Sequence, residues 1–332
     1  MPVCWRPIVA SMLLSLLPCG AQAQQAADTS QPTTRFTSAV DLVALSAVVR
    51  DRKGRFVAGL ESKDFTVLEA GEPRRIVDFR AESDGPVKVA LLFDISGSMR
   101  LGSKGVDARQ AARHLFSALR LTDEAALFVF DTRLERVKGF TSDFASLDAA
   151  LDHVDPPYGQ TSLYDAVAQA AREVAEAGRG AGRLPQRSAV VVMTDAIDTR
   201  SLLTPEQVTT IASTIDVPVY VVAVMASVDD PRESPDGPVT EISSAVRSLS
   251  QWTGGELFTV SAPAHASIAA RRIVDELRHQ YVLAFEASSH NGWRPLQVNA
   301  RNNKLVVRAR AGYNAGGNAM DLEVTFEQSH AW

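Results

Sequence analysis

The chain has 332 residues and a formal net charge of −5, with 34 Lys and Arg residues against 39 Asp and Glu residues. Hydrophobic residues make up 45% of the sequence and charged residues 22%, which is typical of a globular protein and excludes a disordered or fibrous one. Because the charge balance is mildly acidic, composition gives no reason to expect nucleic-acid binding.

The first segment, residues 1–23, has the pattern of a secretory signal peptide. Arg6 supplies the positive end, Ile8–Leu17 the apolar part and Ala21–Ala23 a small-residue cleavage site. An apolar part of roughly ten residues is well short of the ~20 that span a bilayer, and no later segment is long and apolar enough. We therefore expect export to the periplasm or the exterior, with no transmembrane segment. Residues 24–38, rich in Gln, Ala, Thr and Ser, are predicted to be a disordered lead.

Both cysteines, Cys4 and Cys19, lie inside the predicted signal peptide. The mature chain would have no cysteine, which excludes thiol catalysis, cysteine-ligated metals and disulfides. Lipid anchoring at Cys19 is disfavoured because Pro18 precedes it where a small residue is expected.

Residues 39–85 are predicted to form a small β unit. Asp41–Val49 and Phe65–Phe79 show strand-like alternation, and turn sequences occur at 51–55 and 69–73.

The run Val87–Met99 is the most informative part of the chain. Its apolar residues predict a strand buried on both faces of a parallel sheet, and it ends in Asp94, Ser96 and Ser98. One carboxylate and two hydroxyls at a spacing of two suit a small hard cation such as Mg²⁺. Alternatively, Asp94 and Ser96 only cap the next helix.

Two later segments favour the metal site. An apolar strand ends at Thr194 and Asp195, and Thr161 lies where the chain enters a long helical pattern. Ligands of open α/β sheets bind beyond the carboxyl ends of the strands, so these residues are predicted to surround one ion. The predicted ligands are Asp94, Ser96, Ser98, Thr161 and Asp195.

This pattern, Asp-x-Ser-x-Ser followed by a Thr and then an Asp, resembles the metal-ion-dependent adhesion site of the von Willebrand factor type A domain. The resemblance implies that Asp94 anchors a Mg²⁺ ion, with Mn²⁺ or Ca²⁺ as alternatives. It implies that Ser96 and Ser98 bind through their hydroxyls, that Thr161 binds directly or through water, and that Asp195 binds through water. It also implies one open coordination position, which an acidic side chain of a protein partner completes.

Residues 86–279 alternate between strand and helix patterns, which predicts a doubly wound α/β domain of the Rossmann-like von Willebrand factor A type. Within it we predict a helix from Asp107, an antiparallel edge strand at Leu134–Gly139 and a helix capped by Thr204. The Pro-rich segment Ser227–Pro238 carries four carboxylates and is predicted to lie beside the metal, where it could select partners.

Residues 280–313 show three short strand patterns, with a predicted hairpin turn at Asn302–Asn303. Neither this piece nor residues 39–85 is large enough to fold alone. We therefore predict that they pair, so that the α/β domain is inserted in one small discontinuous β-sandwich. Residues 314–332 are predicted to be a flexible tail.

The span from about 38 to 313 resembles the family of exported bacterial VWFA-related domains first described from Acidobacteria. The resemblance rests on motifs that include Arg278–Leu283, Gly292–Arg294 and Val307–Tyr313.

The predicted function is an exported, adhesion-type protein-binding module without enzymatic activity. Two alternatives stay open: a divalent-metal-dependent hydrolase, and a scaffold whose metal site is vestigial. The six histidines are scattered, and the chain lacks a Gly-x-Gly-x-x-Gly sequence after the first domain strand, so a dinucleotide site is not predicted. The sequence indicates neither the partner nor the oligomeric state.

Overall fold

The computed structural model describes residues 42–81, 85–154, 159–177, 186–214, 216–225 and 242–315. The predicted signal peptide, the disordered lead, the loop Ser227–Pro238 and the tail beyond residue 315 lie outside these residues. Among the helices within the described ranges, none is long and apolar enough to cross a membrane.

The centre of the fold is a six-stranded sheet in the order β10-β9-β8-β5-β6-β7. Its strands run parallel except for β7, which pairs antiparallel with β6 at one edge. β5 lies between β8 and β6, and both run parallel to it. Its carboxyl end therefore lies near the middle of the row of strand ends that we call the sheet edge below. The strands are β5 (Val87–Asp94), β6 (Glu124–Phe130), β7 (Leu134–Thr141), β8 (Arg187–Thr194), β9 (Val219–Val224) and β10 (Leu257–Val260).

Helices cover both faces of this sheet, which explains why its central strands are apolar without alternation. Leu91 and Phe93 of β5 pack with α1, α2 and α6, whereas Ala90 and Leu92 pack with α3, α4 and α5. The predicted doubly wound α/β fold is confirmed. The helices are α1 (Lys104–Ala118), α2 (Phe144–Asp152), α3 (Leu163–Ala177), α4 (Pro205–Thr214), α5 (Ser244–Trp252) and α6 (Pro263–Arg278).

Two four-stranded antiparallel sheets flank the α/β domain in sequence, in the orders β13-β1-β11-β4 and β14-β12-β2-β3. Each contains strands from before and after the domain, and Leu45, Val67, Leu283 and Phe285 share one apolar core. The domain is therefore inserted in a discontinuous sandwich, as predicted. The strands are β1 (Leu42–Asp51), β2 (Phe65–Glu69), β3 (Glu72–Arg74), β4 (Ile76–Arg80), β11 (Tyr281–Glu286), β12 (Gly292–Ala300), β13 (Leu305–Ala309) and β14 (Gly312–Ala315).

The predicted hairpin at Asn302–Asn303 is wrong. The chain does turn there, and the Asn302 side chain accepts a hydrogen bond from the backbone N–H of Lys304 at 3.1 Å. However, β12 pairs with β2 and β14, whereas β13 pairs with β1. The turn therefore carries the chain from one sheet to the other, because each strand buries its apolar face from a different side of the core.

The predicted start of α1 at Asp107 is also wrong, because the helix begins at Lys104. By contrast, Thr204 caps α4 as predicted: its hydroxyl accepts the N–H of Gln207 at 3.3 Å, and the Gln207 side chain accepts the N–H of Thr204 at 2.8 Å. The earlier start of α1 places Lys104 close to the end of β8, as described below.

Buried ion pairs join the sandwich to the α/β domain. Glu276 of α6 is fully buried, and it accepts hydrogen bonds from Arg50 of β1 and Arg308 of β13. Arg308 also contacts Glu256 at 2.6 Å. Because the Glu276 carboxylate is shielded from water, it depends on its arginine partners, whereas Glu256 is partly exposed.

We predict that Arg308→Ala destabilises the protein by about 3 kcal/mol, since it removes one of the guanidinium groups that pair with the fully buried Glu276. Guanidinium denaturation of the full chain measures this effect. Arg301→Ala, at an exposed position, is the matched control and should unfold like the wild type. Equal stability of the two variants would show that the ion pairs do not hold the sandwich to the domain.

Candidate metal centre

Asp94 is the last residue of β5, and its side chain is completely buried. Beyond it the chain turns, so that the backbone N–H of Ser96 donates to Asp94 Oδ1 at 2.8 Å. The hydroxyl oxygens of Ser96 and Ser98 lie 3.1 Å apart, where Ser96 precedes the short 3₁₀ turn Gly97–Arg100 and Ser98 lies within it. The turn therefore places two hydroxyls beside the end of the strand that carries the carboxylate.

The neighbouring strand β8 ends at Thr194, level with the end of β5, because Phe93 pairs with Met193. The Thr194 hydroxyl donates to Asp94 Oδ2 at 2.5 Å and accepts the backbone N–H of Ala196 at 3.0 Å. Both carboxylate oxygens of Asp94 thus accept a hydrogen bond, which fixes the orientation of the carboxylate.

Thr161 precedes α3 and is held by backbone contacts to the loops after β5 and β8. The N–H of Gly97 donates to the carbonyl of Gly159 at 2.9 Å. The N–H of Thr161 donates to the Thr199 hydroxyl at 2.9 Å, and the Thr161 carbonyl accepts the N–H of Thr199 at 2.9 Å. These bonds tie three loops together at one edge of the sheet, with Thr161 buried between them.

The start of α3 is fixed by acidic side chains of the same edge. Asp198 accepts the N–H of Leu163 at 2.8 Å and the hydroxyl of Ser201 at 2.6 Å. Asp165 in turn accepts the backbone N–H groups of Leu202 and Leu203, each at 2.9 Å. This network helps to fix the position of Thr161, which lies two residues before the start of α3.

Asp195 follows Thr194 and is almost fully buried. Its Oδ2 atom accepts a hydrogen bond from the ammonium of Lys104, at a distance of 2.9 Å. Neither the Thr194 bond to Asp94 nor the Lys104 ion pair was predicted. The sequence indicated the position of Thr194 only through the Thr-Asp dipeptide at 194–195, where the strand ends. The contact of Lys104 depends on the start of α1 at Lys104, whereas the sequence predicted a later start.

Burial raises the pKa of Asp94 from its ordinary value of 3.8 to about 6, although the hydrogen bonds from Thr194 and Ser96 act in the opposite direction. The nearby negative charge of Asp195 also contributes to this raised pKa. The ionised form of Asp94 is therefore unfavourable in free energy at this buried position, and a cation beside it would stabilise that form.

The residues that meet here suit a small divalent cation. They offer two carboxylates and several hydroxyls, which are hard oxygen donors of the kind that Mg²⁺, Mn²⁺ and Ca²⁺ prefer. Across the described ranges, no three His, Cys, Asp or Glu side chains come together as a metal-binding group. A cation at this edge would thus depend on the hydroxyls of Ser96, Ser98 and Thr161 as well as on the carboxylates.

The sequence model of the von Willebrand factor type A domain matches residues 89–197, which include all five predicted ligands. This match confirms the resemblance seen in the sequence. A search of curated proteins gives no significant match.

Three solved structures are among those to which parts of this chain are similar. BatB from Bacteroides thetaiotaomicron is 19% identical, with a TM-score of 0.46 over 57% of this chain and 98% of that one. A von Willebrand factor type A protein from Catenulispora acidiphila is 12% identical, with a TM-score of 0.45 over 85% and 76%. Proximal thread matrix protein 1 from the mussel byssus, solved with a zinc-occupied MIDAS motif, is 17% identical, with a TM-score of 0.46 over 63% and 49%.

We predict that metal-free wild-type protein loses stability as the pH rises through about 6, because a carboxyl with a raised pKa holds its proton more tightly in the folded state. This contribution is complete below the unfolded pKa. It falls by about 1.4 kcal/mol between pH 5 and pH 7.5. Urea denaturation in EDTA at both pH values measures it.

Asp94→Asn should remove this part of the pH dependence, whereas Asp148→Asn, at an exposed position of α2, should keep it. The same pH dependence in the wild type and in both variants would contradict the assignment to Asp94.

Proposed function

We propose that the von Willebrand factor type A domain of this chain is a protein-interaction module whose contact surface includes a bound divalent cation, Mg²⁺ in the first place. The observation that carries the proposal is the buried carboxylate of Asp94 at the end of a central strand, with Asp195 directly after the end of the adjacent strand. The proposed ligands are Asp94, Ser96, Ser98, Thr161 and Asp195.

The proposed roles follow from how each side chain is held. Asp94 is oriented by two hydrogen bonds, to Ser96 and Thr194, so it does not have to be ordered when a cation binds. The 3₁₀ turn fixes the Ser96 and Ser98 hydroxyls next to each other. The bonds between Thr161 and Thr199 hold the third loop against them. Such a preorganised set of oxygens supports binding of a cation at low ordering cost.

When bound, the metal would supply a Lewis-acidic position at which a carboxylate of the partner could complete the coordination. The protein's own residues contribute the shape of the surface around that position. Because the partner's carboxylate would approach two acidic side chains, binding without the cation would meet like-charge repulsion. Recognition is therefore proposed to depend on the metal.

We further propose that this recognition takes place outside the cytoplasm, as the signal-peptide pattern of residues 1–23 indicates. The proposed order along the mature chain is the lead at 24–38, the sandwich at 39–85 and 280–313, and the type A domain at 86–279 between them. The proposal assigns no catalytic residue.

The proposal predicts that envelope proteins bind immobilised full-length wild-type protein in millimolar Mg²⁺ and are released by EDTA. Asp94→Asn should retain none of the Mg²⁺-dependent partners, because it removes the buried anionic ligand. The matched control, Asp148→Asn, changes an exposed Asp of α2 and should retain all of them. Mass spectrometry of the eluates gives the comparison.

A partner set that is the same in Mg²⁺ and EDTA would contradict metal-dependent recognition and favour the scaffold alternative. A Mg²⁺-dependent turnover of generic phosphate or ester substrates that Asp94→Asn abolishes would instead favour the hydrolase alternative.

A further inference from the structure

The ammonium of Lys104 lies inside the candidate metal centre. It is 2.9 Å from Asp195 Oδ2, and the side chains of Lys104 and Asp195 are only 14% and 2% exposed. Lys104 is the first residue of α1, so the position of its Cα atom is fixed by the helix. This is an ion pair within the protein, and not a contact on its surface.

The position of this charge matters because the two carboxylates of the site repel each other. The charge of Asp195 raises the pKa of Asp94, so the two groups are close enough to interact. A lysine ammonium beside Asp195 compensates part of that negative charge without any metal. It also places a positive charge directly beside one of the proposed ligands of the cation.

We propose that Lys104 is a built-in competitor of the metal: its ammonium holds Asp195 when no metal is bound and must release it for the cation to bind. This inference rests on the proposed metal site and deepens it. It makes Lys104 the residue that sets how much free divalent cation the module needs before it can recognise a partner.

Two properties of lysine suit this role. Its charge is a compact point charge on a flexible four-carbon stem, so the ammonium can leave Asp195 without moving the helix. Asp94 meanwhile stays fixed by the hydrogen bonds that it accepts from Ser96 and Thr194, so the anchoring carboxylate does not have to move. The exchange therefore needs only a side-chain rotation.

The test is a titration of the full chain with Mn²⁺, in which the free ion is followed by its electron paramagnetic resonance signal. The variants are Lys104→Met, which keeps the length of the side chain but not its charge, and Lys104→Gln as a second neutral variant in case the first does not fold. Lys53→Met, at an exposed turn position, is the matched control, and Asp94→Asn is the variant without the anchor.

We expect the neutral variants to bind Mn²⁺ at least tenfold more tightly than the wild type and the Lys53 variant, because the like charge is gone. We also expect the order of melting temperatures to invert. In EDTA the neutral variants should melt below the wild type, because Asp195 has lost its counter-charge. In saturating Mn²⁺ they should melt at or above it.

Other outcomes separate this inference from the proposed function. If the neutral variants bind Mn²⁺ no more tightly than the wild type, while Asp94→Asn binds none, the metal site stands and the competitor role of Lys104 is wrong. If neither the wild type nor the neutral variants bind Mn²⁺, the proposed metal site fails, and the role of Lys104 fails with it. Binding by the neutral variants alone would support the inference in its strongest form.

Discussion

The central constraint on this structure is the burial of one carboxylate at the end of one strand. Asp94 has no exposed surface, and burying a charge is costly unless the surrounding groups compensate for it. The backbone of Ser96 and the hydroxyl of Thr194 occupy its two oxygens. The turn after β5 and the end of β8 are therefore held in place by the same group that would anchor a cation.

The rest of the fold places this carboxylate. Because β5 lies between β6 and β8 and is covered by helices on both faces, its end is held rigidly at the middle of the sheet edge. The sandwich is built from strands on both sides of the domain and is joined to α6 and β9–β10 through Glu276, Glu256 and Arg308. The strand ends that carry the candidate site and the sandwich are thus parts of one folded unit.

The fold could be predicted from the sequence, and a candidate site proposed, wherever the pattern that signals them is local. A short apolar run without alternation, rich in Val and Leu, predicts a strand buried on both faces, and its end at Asp94 marks the end of that strand. The Thr194 hydrogen bond depends on how two distant strands align, and no local pattern encodes that alignment. The Lys104 ion pair was missed because it joins the start of α1 to the residue after β8, 91 positions along the chain, and no local pattern predicts such a contact. Asn302 and Asn303 predicted a turn but not that β12 and β13 enter different sheets.

The central claim is that Asp94, Ser96 and Ser98 hold a divalent cation, and anomalous diffraction from a crystal of the full chain soaked in Mn²⁺ tests it most directly. The account predicts one anomalous peak at coordination distance from the oxygens of these three residues, and its loss in crystals of Asp94→Asn. A soaked wild-type crystal with no peak at this sheet edge, or with a peak that persists in Asp94→Asn, would contradict the account.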